Sequence, residues 1–147
     1  MAITQTATTS FKIELLQGVH NFGPTSPDTF KIALYTEAAN LGAATTAYTS
    51  SGEVVGTGYT ATGKVLTITT SPTSGTNSSN VIVAYISFAD VTWTNSTFTS
   101  RGALIYNSTA NTSVAVLAFG GDKTATNGTF SIIFPTADAS NAIIRIA

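Results

Sequence analysis

The sequence predicts an all-β protein, an antiparallel β-sandwich or jelly-roll-like barrel of about eight strands with one short N-terminal helix. Three observations carry this expectation. From Phe30 onward apolar residues mostly recur with a period of two, as along a half-buried strand. The apolar segments are short and separated by Gly, Pro, Asn and Ser, which supply turn geometry. Only one stretch has a helical period, so the helical crossovers that a parallel sheet requires are missing.

That stretch comes first. Ser10 is the expected N-cap, and Phe11, Leu15, Val19 and Phe22 recur at helical spacing with Leu16 beside them. Lys12 and Glu14 fall off the stripe, and Gly18, Asn21, Gly23 and Pro24 end it. A helix of about ten residues is marginal alone, so it must lay its stripe on a sheet. Residues 1–10 show no apolar period and read as an N-terminal arm, leaving 11–147 as a single β-rich domain. Trimming 1–9 is expected to leave that domain folded.

After Pro27 the period changes. In 29–36, Phe30, Ile32 and Leu34 alternate with Lys31, Ala33 and Tyr35. Further strands are expected at 54–59, 64–70, 81–88, 98–106, 114–119, 130–134 and 142–146. Residues 71–77 and 120–123 read as turns between them. Asn127-Gly128 reads as a hairpin turn and Gly56-Thr57-Gly58 as a bulge or turn.

Composition narrows the function. Charged residues are 9% of the 147 and hydrophobic residues 43%, so 28 Thr and 15 Ser carry most of the polarity. Threonine suits this role, because its β-branch favours extended backbone while its hydroxyl keeps an outer face wet. Six Lys+Arg against seven Asp+Glu cannot build the basic field of a nucleic-acid binder. Cys is absent and His20 is the only histidine, which excludes a disulfide scaffold and a zinc module. No run approaches the roughly 18 apolar residues of a membrane helix, and 1–10 lack the features of a secretory signal. No cofactor, metal, nucleic acid or membrane partner is expected.

The chemistry-bearing residues point to structure more than to catalysis. His20 lacks a second His or Cys and reads as a helix cap or a buried hydrogen-bonding group. The carboxylates Glu14, Asp28, Glu37, Glu53, Asp90, Asp122 and Asp138 are scattered, with no pair marked out as a glycosidase would need. Residues 122–128 resemble a calcium loop only superficially, since the alternating acids and final Glu are missing. Trp93 reads as a core or interface anchor, or as a sugar-stacking aromatic if exposed. The Asn-x-Ser/Thr triplets at Asn77, Asn95, Asn107, Asn111 and Asn127 read as compositional coincidence. Arg145, between Ile144 and Ile146 on an apolar final strand, needs a partner carboxylate or an interface, and Asp122 with Lys123 is weighed with it. No catalytic residue is assigned.

Five ordered blocks carry a resemblance: 10–22 (SFKIELLQGVHNF), 28–36 (DTFKIALYT), 53–60 (EVVGTGYT), 101–107 (RGALIYN) and 134–147 (FPTADASNAIIRIA). Together they resemble a family of small structural proteins of tailed bacteriophages. One departure is Ala118, where members of that family often carry Asp, so no role of an acid there is transferred. The resemblance implies a virion component made in the host cytoplasm, first a capsid decoration (cement) protein on the capsid surface and next a tail or fibre component. It implies the major capsid protein or other virion proteins as partners and a homotrimer as the assembly. A carbohydrate-binding module or hydrolase is the alternative left by the residues alone. Ile3, Thr4, Gln5 and Thr6 of the arm are the expected partner-binding residues, able to add as a strand to a neighbouring sheet edge. Arg145 is the expected charged contact. With so few charges, attachment should rest on apolar burial and backbone hydrogen bonds.

Overall fold

The computed structural model describes residues 2–147 and shows the expected β-sandwich, with eight strands in two antiparallel sheets and one short helix. Met1, the first residue of the expected arm, lies outside the described residues. Two long strands dominate. β6 (Val91–Asn107) and β7 (Thr112–Ile132) pair from Val91↔Ile132 to Asn107↔Thr112. The turn between them is built by Asn107, whose Oδ1 accepts from the N–H groups of Thr109 at 2.9 Å and Ala110 at 3.1 Å.

This ribbon replaces strands that the sequence divides. The expected hairpin at Asn127-Gly128 and the turn at 120–123 both lie inside β7. Each is a bulge. The register passes from Ser96↔Gly128 to Phe98↔Ala125, adding a residue on β7, with Asn127 at φ 46°. It then passes from Ser100↔Lys123 to Gly102↔Ala118, where two steps on β6 meet five on β7 around Gly120 at φ 74°. Turn-forming residues thus curl a continuous strand instead of ending it. Asn95, Asn111 and Asn127 all adopt positive φ, which gives three of the Asn-x-Ser/Thr triplets a conformational reason.

The first sheet continues through β2 (Phe30–Tyr35), which pairs with β6 from Phe30↔Asn107 to Tyr35↔Gly102, to β3 (Lys64–Val65). β2 is buried on both faces, not half-buried. Phe30, Ile32 and Leu34 join the main core against the second sheet. Ala33 and Tyr35 join a second cluster with Leu41, Leu104, Tyr106 and Val116. The second sheet has the order β4 (Ile68–Thr76), β5 (Ile82–Phe88), β8 (Ile144–Ile146). β4 runs through 71–76, which reads as a turn in sequence. It is an edge strand, and Pro72 falls where the register shifts between Thr70 and Thr73, so no ladder donor is lost.

No strand forms over 54–59. Gly56 passes so close to β6 that an added Cβ would lie 2.6 Å from the Thr97 carbonyl oxygen, and Gly58 takes φ 83°. The glycines make this a turn packed closely against β6, with Thr57↔Thr97 as its one ladder bridge to that strand among the described residues.

The helix α1 (Thr9–Leu16) starts two residues earlier than Ser10 would set it, because Thr8 is the cap and its Oγ1 accepts from Phe11 N–H at 3.3 Å. Its end follows the sequence. Gly18 at φ 70° donates to the Leu15 carbonyl and Val19 donates to that of Glu14, the paired bonds of a Schellman motif. Phe11 and Leu15 face the core, while Leu16 is 92% exposed.

The segment before the helix belongs to the sheet. β1 (Thr6–Ala7) pairs with Val116 and Ala115 of β7, Ile3 bridges Leu41 in parallel, and Thr8 is fully buried. It is an edge strand of its own molecule and not a free arm. The expectation that 1–9 can be trimmed therefore loses its basis. Sequence periodicity missed it because β1 is two residues long and Thr8 is buried through hydrogen bonds.

Candidate functional site

The expected partner-binding residues divide into two sets. Gln5 and Thr6 from the β1 side and Arg145 from β8 line one groove of about 590 Å3, with β7 and Leu15 of α1 completing its walls. Ile3 and Thr4 lie elsewhere. Ile3 is partly buried against the Leu41 cluster and lies beside Gly102, where an added Cβ would meet its side chain at 2.8 Å. Thr4 donates its N–H to the Leu41 carbonyl at 2.9 Å and faces the 40–49 loop.

A second groove of about 550 Å3 shares Gln5, Leu117 and Ile143 with the first and runs along the outer side of β7. Both follow from how the sheets end. β1 pairs only as far as Val116, so β7 from Leu117 onward has β6 on one side and no strand on the other among the described residues. β8 pairs with β5 alone. Two sheet edges therefore face one continuous depression. Next to the last β1 pair, the Ala118 N–H points into it and is held by Gln5 Oε1 at 3.3 Å.

The charged side chains that line these grooves are all cationic. No Asp or Glu side chain lines either groove, whereas Lys12, Lys123 and Arg145 do. Lys12 and Lys123 take part in none of the ion pairs among the described residues. Arg145 is exposed, contrary to the burial its apolar neighbours suggest, and its Nη1 donates to the Ser140 carbonyl. Nearby Asp138 is held below the ordinary carboxylate range, first by the Asn141 side-chain amide and to a smaller extent by Arg145.

The acids are spent inside the chain. Asp122 and Glu37 both pair with Arg101, at 2.7 and 3.4 Å, a link the sequence does not reveal because Arg101 is distant in the chain from both. Asp90 accepts from the Phe134 N–H at 2.8 Å. Glu14 accepts from Thr112 Oγ1 and from His20 Nε2, the latter at 2.8 Å. His20 Nδ1 and Asp28 Oδ2 in turn accept from Asn107 Nδ2, at 3.1 and 2.7 Å. Because the Asn107 oxygen is committed to the hairpin, its amide can only donate here, which fixes His20 as the Nε2–H tautomer. The series of a carboxylate, a histidine and an amide has its histidine side chain wholly buried, so it fastens the helix to the hairpin and presents no reactive atom to solvent.

Glu53 closes a second cluster. Its carboxylate accepts from Tyr48 at 2.5 Å, Tyr59 at 2.7 Å and the Thr62 N–H at 2.8 Å. Burial and then this carboxylate push the Tyr48 phenol up to about 12, and Tyr59 moves in the same direction for the same reasons. Trp93 is 1% exposed between Tyr59 and Phe130, which leaves it as a core anchor with no face for a sugar. Among the described residues no cluster of His, Cys, Asp and Glu could hold a metal ion, and no helix is long and apolar enough to cross a membrane.

The sequence reading missed Lys12 and the open edge of β7, and it weighed Lys123 only together with Asp122, which pairs with Arg101 instead. The only signal for the edge was the brevity of the segment before the helix, too short to cover a strand of 21 residues. Compared with known proteins, the chain matches no family model, no curated protein and no solved structure.

Proposed function

We propose that the chain is a structural protein of a tailed-bacteriophage virion, a homotrimeric capsid decoration protein that binds the head shell and stabilises it. One observation supports this above others: residues of four of the five blocks are fasteners. Glu14 and His20, Asp28, Glu53 with Tyr59, and Arg101 with Asn107 come from separate blocks and hold the first sheet, its loops, the helix and the hairpin together. A shell-bound protein present in many copies requires such a scaffold, with its polar groups satisfied within the fold. Low net charge also suits close lateral packing, since like charges repeated over many copies repel. Two sheet edges beside one depression supply a place for attachment by main-chain pairing.

The test is a cryo-electron microscopy map of the parent particle. Density fitting this chain over the head shell, at threefold positions, is the expected result. Density confined to the tail vertex would make it a tail or fibre component, and absence from the particle would overturn the reading.

A further inference from the structure

We infer that the continuous groove beside β1, β7 and β8 accepts an extended, acidic and apolar segment of a partner protein, which pairs with the open edge of β7. This rests on the reading that the chain acts by binding another protein, and it specifies how that partner is recognised.

The backbone sets the mode. Past Val116 the outer edge of β7 has lost its strand partner, and at Ala118 an internal amide side chain stands in for the missing carbonyl. Edge groups of this kind bind an added strand through main-chain hydrogen bonds, and the side chains of that strand alternate between two faces. On the inner face an incoming strand meets partly buried Leu117 and Phe119, and exposed Ile133 stands on the groove wall. Those surfaces favour Val, Ile or Leu.

Charge selects the rest. Lys12, Lys123 and Arg145 surround the depression and no Asp or Glu side chain lines it, Asp138 near Arg145 standing outside the lining, so carboxylates on the segment gain where cations lose. A second copy of this chain is a poor occupant. Each of its seven Asp and Glu side chains already accepts a hydrogen bond inside its own fold. Heterologous pairing therefore fits the surface better than self-pairing.

The experiment uses the full chain, labelled with 15N, and two short blocked peptides of alternating Val and Thr. One carries two Asp and the other Asn at the same places. The Asp peptide should perturb the amides of Leu117 and Ala118 and bind about tenfold tighter than the Asn peptide. The variant K12E/K123E/R145E should erase that preference while leaving the Asn peptide unaffected. All three positions are exposed, and K12Q/K123Q/R145Q serves if the reversed variant does not fold. Perturbations located elsewhere, equal affinity for both peptides, or a preference that survives charge reversal would each overturn the inference. Particles carrying the triple variant separate it from the shell-binding reading. Undiminished attachment defeats the groove alone, whereas peptide binding by a chain absent from the shell defeats only the shell.

Discussion

The side-chain oxygen of Gln5 stands 3.3 Å from the backbone nitrogen of Ala118, two residues past Val116, where the pairing of β1 with β7 ends. A side chain thus extends the sheet where the strand has stopped. Gln5→Ala should leave the fold intact and speed hydrogen exchange at the Ala118 amide by about tenfold, the effect of one ordinary hydrogen bond. Unchanged exchange there would mean that the bond does not persist in solution.

Asn107 is fully buried and uses both ends of its amide, two donors to His20 and Asp28 and one oxygen to two hairpin N–H groups. Asn107→Ala should strand several of these partners and cost about 3 kcal/mol or more. For a chain of this length that lowers Tm by about 6 to 12 °C, measurable by calorimetry. Asn107→Asp should be no better, because it sets a second carboxylate 2.7 Å from that of Asp28.

Gly63 and Gly120 share φ 74°, yet their surroundings differ. A Cβ at Gly63 would fall 1.8 Å from the Ile32 carbonyl oxygen, whereas at Gly120 it would meet nothing within 4 Å. Gly120→Ala should therefore cost only the strain of a left-handed residue, about 1 kcal/mol. Gly63→Ala must move backbone at β2 and should abolish soluble folded protein. Equal urea midpoints for the two would refute the distinction.

The fold class, the site of β2 and the glycine stop of the helix were legible because each depends on local pattern and one chain segment. The length of β6 and β7 was not. Gly120-Gly121 and Asn127-Gly128 have turn chemistry, and only the opposite strand decides whether such residues reverse the chain or bulge it. The candidate site was legible in part for the same reason. Gln5, Thr6 and Arg145 do meet at one groove, but Ile3 faces the core, and the role of Lys123 depends on a curl in β7 that no local pattern encodes.

Alkaline pH should loosen the tyrosine cluster first. Fold burial and Glu53 raise the Tyr48 phenol from 10.0 to about 12, and Tyr35 and Tyr59 are raised as well. A raised value means that the fold favours the neutral phenol. This contribution is complete below about pH 10 and is lost as pH rises toward the folded-state value. Urea midpoints should therefore hold from about pH 8 to 10 and fall above that, in step with tyrosinate absorbance. Tyr59→Phe should lessen the fall, and a slope that it leaves unchanged would place the effect elsewhere.

Attachment to a particle should resist salt more than denaturant. Exposed ion pairs are worth about 0.2 to 1 kcal/mol each, and the Debye length shrinks from about 10 Å at 0.1 M to about 3 Å at 1 M salt. Even full loss of contacts from Lys12, Lys123 and Arg145 then weakens binding by only a few kcal/mol. Main-chain pairing along β7 and apolar contact with Leu117, Phe119 and Ile133 are not screened in this way. Urea acts on both of those, since it solvates peptide and apolar groups alike. Particles incubated across a salt series should retain the protein at 1 M, while a urea series should release it below the midpoint at which the free chain unfolds. Release by salt alone would show that the three cations hold the partner, and not merely select it.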